Sequence, residues 1–439
     1  MPIFPRDKYI EQTLRFKDEG LIKVITGIRR CGKSTLLYLV SEKLHAEGIP
    51  RERIASLSLE SFHEETPRDA RSLYNYFQQR ASSHRSSDRL YIFIDEVQII
   101  EGWEEAVNAM RVDLNCDIYV SGSNAFLLSS ELATYLSGRY VEIKMLPLTF
   151  REYLEFKIPE YKVGTSTGIH SIGWVVTDSQ NRVVSIDQLF NEYRQYGGLP
   201  YLATKEFRAD EHRNYMDSLY QSVITRDILN RERMRLRRKL TNPDLLRRLL
   251  LFLADNIGNN NSFNSINNTL KAEKLNVANA TIEAYISALE DAYVFYAVPR
   301  YDIKGKDYLK TLGKYYMVDP GIRNFLLGYR NLDPGRVLEN IIYLQLLYNG
   351  FEVATGVRGG VEIDFVASKP GNRIYLQVAE SIDSPATLIR ELEPFKRIKD
   401  AYPRYLIIGS GNLPTDIDGV RVIKATDFLL GLVDDSYLK

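Results

Sequence analysis

Cysteine is nearly absent from this sequence: 439 residues hold only Cys31 and Cys116. That excludes a disulfide framework and a cysteine-rich zinc site, and it fits a reducing compartment. Net charge is missing too, because 57 basic side chains balance 57 acidic ones. No general attraction to nucleic acid or anionic membrane follows, and any such binding would have to come from local patches. Long apolar runs are lacking: even Leu245 to Leu253 is interrupted by Arg247 and Arg248, so nothing approaches the length that spans a bilayer. The first residues, Met1-Pro2-Ile3-Phe4-Pro5-Arg6-Asp7-Lys8, have no signal-peptide core. The expectation is a cytoplasmic protein without membrane segments. Internal repeats and low-complexity tracts are also absent. What remains is ordinary globular composition, 44% hydrophobic and 26% charged, with 29 tyrosines, more than a core-less chain carries. The length is too great for one core and points to two to four domains.

From Leu21 to about Phe150, short apolar runs alternate with helical patterns, which predicts an α/β unit with a parallel sheet. Strands are expected at 21–26, 54–59, 90–94, 118–121 and 140–145. Leu37, Val40 and Leu44 recur at helical spacing after the first strand, as do Leu73 and Phe77, then Trp103, Val107, Met110 and Leu114. Thr149 with Glu152 forms a capping box that opens the next helix and places a boundary near 150. The weakly periodic stretch 161–182 reads as an insertion or a small hairpin. Helical texture then runs to Leu240 and ends in the basic run Arg231, Arg233, Arg235, Arg237, Arg238 and Lys239. Asn242-Pro243-Asp244 starts a new module, with Pro where its missing N–H costs nothing. Helices over 245–257, after Ser265 and around Ile282 to Leu289 precede strands at 293–303 and 308–318, the outline of a winged helix. From Val337 the pattern is helix, strands at 361–367 and 373–378, a helix over 386–401 and a strand at 405–408.

Gly27-Ile28-Arg29-Arg30-Cys31-Gly32-Lys33-Ser34 satisfies the spacing G-x-x-x-x-G-K-[ST] of a phosphate-binding loop, between a strand and a helix as that motif requires. The glycines let backbone N–H groups turn around phosphate oxygens, and the helix start adds its positive end. The loop and Thr35 are thus candidate ATP-binding residues, Lys33 reaching the β and γ phosphates and Ser34 giving an oxygen to Mg²⁺. A second motif, Leu90-Tyr91-Ile92-Phe93-Ile94-Asp95-Glu96, delivers two carboxylates at the end of a strand. Asp95 is expected to hold Mg²⁺ and Glu96 to orient and deprotonate the attacking water. Ser121-Gly122-Ser123-Asn124 reads either as a γ-phosphate sensor and water-positioning turn or as a plain polar turn. Arg139 reads either as an arginine finger, in cis or from a neighbouring subunit, or as a surface arginine. Cys31 is either an activated thiol or, as favoured here, the filler of a tolerant loop position.

These segments, with Tyr196-Gly197-Gly198-Leu199-Pro200 and Lys314-Tyr315-Tyr316-Met317-Val318-Asp319, resemble prokaryotic P-loop ATPases of the AAA/STAND type whose C-terminal half is a winged-helix plus nuclease-like region. The resemblance covers nearly the whole chain. It implies a P-loop ATPase domain over 1–150, a helical lid over 151–240, a winged helix over 241–335 and a PD-(D/E)xK nuclease-like α/β domain over 336–439. It implies further that Leu199 and Pro200 touch the base, where composition alone reads a helix breaker. The nuclease-like positions are Glu339, Asp364 and Gln377, but the lysine expected two residues later is Ala379. The apparatus is incomplete and nuclease activity is not expected. Lys369 and Lys396 are candidates to replace the lysine, with nothing in the sequence to favour either.

The third helix of the winged-helix module offers Asn279, Ala280, Glu283 and Ser287 outward, then Glu290 and Asp291, with no cation for guanine edges or phosphates. Only the hairpin, through Lys304, Lys306 and Lys310, and the 231–239 run are basic, and such a run is usually a solvated helix face. DNA contact, where it occurs, is to the phosphate backbone, and packing against an unknown protein partner is the favoured use of the module. The leading expectation is an ATPase that self-associates and whose nucleotide state, read by Ser123, Asn124 and Arg139, repositions the lid and the C-terminal domains. The rival is an ATP-gated DNA-binding regulator or nuclease.

Overall fold

The computed structural model describes residues 4–438 apart from 64–65, 84, 86–87, 124–135, 137, 168–171, 205–208, 224–227, 230–241, 273, 306, 330–332, 412–413 and 434. Asn124, Ser137, Lys306 and the basic run 231–239 therefore lie outside the described residues. The chain forms two compact units, one of residues 1–145 with Asp291–Tyr293, the other of residues 146–290 and 294–439.

A helix not read from the sequence, α1 (Asp7–Leu14), precedes the expected alternation of the first unit: β1 (Ile22–Thr26), α2 (Lys33–Ala46), β2 (Ile54–Ser58), α3 (Ala70–Ser82), β3 (Leu90–Asp95), α4 (Trp103–Asp113), β4 (Cys116–Gly122) and β5 (Tyr140–Lys144). The five strands form a parallel sheet in the order β2-β3-β4-β1-β5. Leu73 and Phe77 from α3 and Trp103, Val107 and Met110 from α4 meet Ile92, Ile94 and Val120 in one core. Burial of each such side chain is worth roughly 1.5–3 kcal/mol. At the strands' N-terminal end, Lys23 of β1 is wholly buried in an ion pair with Asp117, while the Tyr119 hydroxyl donates to the same carboxylate at 2.8 Å. Burial pulls the Lys23 ammonium down and Asp117 pulls it partly back. The lone charge inside the apolar run 21–26 is thus matched by its own buried counter-ion.

The second unit opens with α5 (Phe150–Lys157), capped as predicted: Glu152 N–H donates to Thr149 Oγ1 at 3.2 Å and Thr149 N–H to Glu152 Oε2 at 2.9 Å. The 161–182 stretch forms an antiparallel sheet of β6 (Lys162–Thr167), β7 (Ile172–Thr177) and β8 (Val183–Val184). Then come α6 (Ile186–Tyr196), α7 (Pro200–Ala203), α8 (Ala209–Gln221), α9 (Pro243–Asp255), α10 (Phe263–Ala272) and α11 (Asn279–Asp291). The hairpin β9 (Phe295–Asp302) and β10 (Asp307–Met317) follows. It is not a separate wing. β9 pairs in parallel with β11 (Glu352–Arg358), and the sheet runs on through β12 (Val361–Lys369), β13 (Asn372–Ser381), β14 (Arg404–Ser410) and β16 (Val420–Lys424) to β15 (Asp416–Ile417). The hairpin and the C-terminal strands thus share one eight-stranded sheet, across the boundary expected at 335. α12 (Pro320–Leu326), α13 (Pro334–Tyr348), α14 (Pro385–Lys396) and α15 (Ala425–Leu429) complete the unit. No described helix is long and apolar enough to cross a membrane.

The Gly-Gly-Leu-Pro segment is locked from within this unit. Asp319, buried at the start of α12, accepts from Ile322 N–H at 3.0 Å and from Gly198 N–H at 2.6 Å. Gly197 has φ +80°, and a Cβ there would lie 2.1 Å from Asp319 Oδ1, so a glycine is required. Burial pushes the Asp319 carboxyl up to about 6, although Gly198, Ile322 and Gly321 N–H groups pull it down. A carboxyl that binds its proton more tightly folded than unfolded stabilises below its unfolded value of 3.8, and that contribution fades as pH rises through about 6. The contribution of Asp319 to the urea-unfolding free energy of the wild type is therefore expected to fall by roughly 2 kcal/mol between pH 4 and 6. Asp319→Asn removes that slope; an unchanged slope in the variant would refute the assignment.

Candidate nucleotide site

Parallel pairing sets the geometry. β4 lies between β1 and β3, with Ile25 opposite Ser121 and Ile94 opposite Val120, so the loop after β1 and the acids after β3 emerge at one sheet edge. Gly27 has φ +145°, and a Cβ there would stand 2.2 Å from Met145 O, which only glycine avoids. Arg30 and Gly32 are both left-handed, and Gly32 caps α2. Lys33 is buried and donates to Gly27 O at 3.0 Å and Ile28 O at 3.1 Å, spanning the loop. Ile28 and Cys31 are buried, whereas Ser34 and Thr35 are exposed on the first turn of α2 and Arg29 and Arg30 are half-buried. Full burial of Cys31 leaves its thiol a packing role and removes the reading as an accessible, oxidisable group. Buried Arg6, just before α1, donates to Cys31 O at 3.3 Å and braces the loop from outside.

Across from the loop, Glu96 is buried and left-handed at φ 55°, a conformation that costs a non-glycine residue roughly 1–2 kcal/mol. Both its oxygens are held. Ser123 Oγ donates to Oε1 at 2.7 Å, and Gln98 Nε2 donates to Oε2. Ser121 Oγ accepts from Glu96 N–H at 3.1 Å and donates to Asp95 Oδ1. Burial pushes the Glu96 carboxyl up, but Lys33, Ser123, Arg29 and Gln98 together hold it below the usual range, so it is an anion. Gln98 is a part of the site that sequence reasoning assigned no role. Its signal was its place two residues after the acid pair.

Four other candidates remain, Arg139, Leu199, Pro200 and Asn124. Arg139 sits just before β5, exposed, with Nη1 3.3 Å from Asn108 Oδ1. Since Ile22 pairs with Tyr140 and Thr26 with Lys144, Arg139 lies at the end of the sheet opposite the loop, about 15 Å away along five residues of β1. This corrects the cis reading of the arginine finger: the side chain cannot reach phosphates in its own loop. Leu199 is fully buried and Pro200 opens α7, both in the second unit. Asn124 lies outside the described residues.

In the second unit Glu339, Asp364 and Gln377 do converge. Asp364 N–H donates to Gln377 Oε1 at 3.3 Å, and Val378 N–H donates to Asp364 Oδ2 at 2.9 Å. The cation among them is none of those the sequence suggested. Lys314 of β10, buried, reaches Glu339 at 2.8 Å, Glu362 at 3.0 Å and Asp364 at 3.7 Å. Lys369 lies over the Phe351 ring and Lys396 is 3.9 Å from Glu393. Burial pulls the Lys314 ammonium down, but Glu339, Asp364 and Glu362 raise it well above its ordinary value. Asp364 is pushed up to about 7, by burial and then Glu339, because the ammonium lies closer to the two glutamates than to it. Lys314 stands inside the run Lys314-Tyr315-Tyr316-Met317-Val318, where a lone charge in an apolar strand was the available signal. Removal of one partner from a buried ion network costs about 3–5 kcal/mol. Lys314→Ala is expected to lower the urea-unfolding free energy at pH 7 by about that amount, with the deficit shrinking at lower pH as the abandoned carboxylates protonate.

Residues 19–154 match the family model of an AAA domain, and residues 187–333 match a domain of unknown function (DUF8612). An uncharacterized protein of Haemophilus influenzae is 39% identical over 425 residues, which span 97% of this chain and 98% of the relative. An uncharacterized protein of Methanocaldococcus jannaschii is 27% identical over 392 residues, 86% of this chain and 79% of that one. Among solved structures, a Walker-type ATPase of Pyrococcus abyssi aligns at a TM-score of 0.44 and 16% identity, over 74% of this chain and 96% of that one. By its near full-length identity the chain belongs to the family of the Haemophilus influenzae protein, and its own N-terminal unit carries an AAA-type P-loop ATPase domain.

Proposed function

We propose that this chain hydrolyses ATP at the edge formed by the Gly27–Thr35 loop and the Asp95–Glu96 pair, and that its nucleotide state is passed to the C-terminal unit. The observation that carries the reading is the buried, ionised Glu96 held by Ser123 and Gln98 within the field of Lys33. Loop N–H groups and Lys33 bind the phosphates. Ser34, exposed on the first turn, and Asp95, oriented by Ser121, are the oxygen donors that fit Mg²⁺. Bound there, the ion would neutralise charge on the phosphate oxygens. Glu96 orients the attacking water and takes its proton on a lone pair that remains open, since each of its oxygens accepts a single hydrogen bond among the described residues.

A path toward the rest of the chain supports the switch. Thr26, the residue before Gly27, donates from Oγ1 to Glu142 Oε1 at 2.5 Å, and the Tyr293 hydroxyl donates to the same oxygen at 3.1 Å. Tyr293 leads directly into β9. Arg139, exposed and remote from its own loop, acts on the nucleotide of a neighbouring copy. The DNA-directed reading retains Lys304 of the hairpin as a phosphate contact. For a nuclease, Lys314 lies in a closed ion network at the convergence of Glu339 and Asp364, and Ala379 offers no cation.

Lys33→Ala is expected to abolish ATP binding measured by calorimetry. Glu96→Gln is expected to keep ATP while turnover falls about 100-fold or more, and undiminished hydrolysis would remove Glu96 from its role. Arg139→Ala is expected to lower turnover likewise. Mixing it with Glu96→Gln restores activity in part, because a mixed interface pairs an intact Glu96 with an intact Arg139. No recovery on mixing would count against a role in trans.

A further inference from the structure

The backbone after β3 brings Gln98 back against Glu96. The left-handed turn at Glu96 opens a short 3-10 turn, Val97–Ile99, in which Ile99 N–H donates to Glu96 O at 3.0 Å. Val97 is wholly buried in the core of the sheet and anchors the turn, while Ile99 faces solvent. Between them, Gln98 Nε2 donates to Glu96 Oε2. Charge decides which end of the amide faces Glu96, because a carboxylate only accepts and so takes the NH₂ group, turning the carbonyl oxygen elsewhere. That oxygen, Gln98 Oε1, is enclosed and has no hydrogen-bond partner among the described residues. Buried acceptors without a donor are rare in folded proteins.

The donor that fits is small and carries two protons. Glu96 Oε2 accepts from Gln98 and Oε1 from Ser123, which leaves each oxygen a further lone pair. A water beside the pair can direct one proton to Glu96 and the other to Gln98 Oε1. Held at both protons, it has only its oxygen lone pairs free for attack. We propose that Gln98 is a second water-holding residue of the ATPase site, its carbonyl oxygen accepting one proton of the attacking water while Glu96 accepts the other, a role that rests on the hydrolytic reading above. As the oxygen–phosphorus bond forms and the bond to the departing ADP breaks, one proton passes to Glu96. The other stays on the new phosphate hydroxyl, still bonded to Gln98 Oε1, so no further reactant is needed. Two fixed acceptors restrict the orientation of the water where a carboxylate alone leaves it free to turn.

The test uses the full chain with magnesium and three measurements. These are calorimetric affinity for the β,γ-imido analogue of ATP, affinity for ADP with aluminium fluoride, which mimics the phosphoryl group in transfer, and single-turnover hydrolysis of ATP. Gln98→Met, of similar length but with neither amide donor nor carbonyl acceptor, is expected to keep the affinity for the imido analogue within about twofold of the wild type. Hydrolysis and aluminium fluoride affinity should each fall about tenfold or more. Gln98→Asn, which keeps the amide on a shorter stem, should fall between the two, and circular dichroism checks that each variant is folded. In a Glu96→Gln background, Gln98→Met should cost less than about twofold further in aluminium fluoride affinity, because both residues hold one water. Losses that multiply, imido-analogue affinity that falls as far as hydrolysis, or wild-type hydrolysis by Gln98→Met would each overturn the role of Gln98. The last of these, with turnover lost in Glu96→Gln, leaves the ATPase reading standing, whereas a wild type that hydrolyses no ATP removes both.

Discussion

Insertion of β4 between β1 and β3 is the constraint from which the nucleotide site follows. In a parallel sheet all strands end on one side, so the glycine loop after Thr26, the acids after Ile94 and the serines after Val120 arrive together without any long-range search. The same rule sends Arg139 to the far side, because it precedes its strand rather than following it. Side chains then refine what the register provides. Ser121 bridges the backbone of Glu96 to the carboxylate of Asp95, and Ser123 fixes Glu96 itself, so the segment after β4 positions acids rather than standing apart from them.

Two buried lysines show how charge is used in each unit. Lys23 pairs with a single aspartate at the blunt end of the parallel sheet, where the stacked rings of Phe93 and Tyr119, 4.6 Å apart, close the surroundings. Lys314 faces three carboxylates and joins the hairpin strand β10 to α13 and β12. The junction is reinforced by Asn340 of α13, which donates to Met317 O at 2.8 Å and accepts from Met317 N–H at 2.7 Å, as a neighbouring strand would. Such pairs give geometry more than stability, since the cost of burying charge nearly offsets the attraction. The stacked Tyr316 and Tyr343 rings, 4.6 Å apart, supply the apolar burial beside it.

Much of the first unit was legible because local pattern and tertiary context agree there. Five apolar runs became five strands, with ends shifted by a residue or two, and the loop fell between β1 and α2 as its spacing required. The C-terminal half was less legible. The strands β11, β15 and β16 were not anticipated: Glu352-Val353-Ala354-Thr355-Gly356 lacks a clear apolar run, and β15 has two residues. The hairpin resembled a wing in isolation, since nothing local signals that β9 will pair with a strand some fifty residues later. Lys314 and Asp319 sit in a segment marked only by resemblance, and their partners, Glu339 and Gly198, are distant in sequence. Cys31 showed the reverse limit, a loop position whose burial no pattern reveals.

The three residues Asp291–Tyr293 belong by packing to the N-terminal unit although both of their flanks belong to the other. Chain order and spatial order therefore disagree. As the polypeptide leaves the ribosome, Glu142 must wait for a tyrosine some 150 positions behind it, and the ATPase unit reaches its final form only after most of the second unit's helices have been made. An excised fragment ending at Met145 would keep the phosphate loop but lose that late-arriving phenol, so the natural boundary of this module is not one cut in the chain but three.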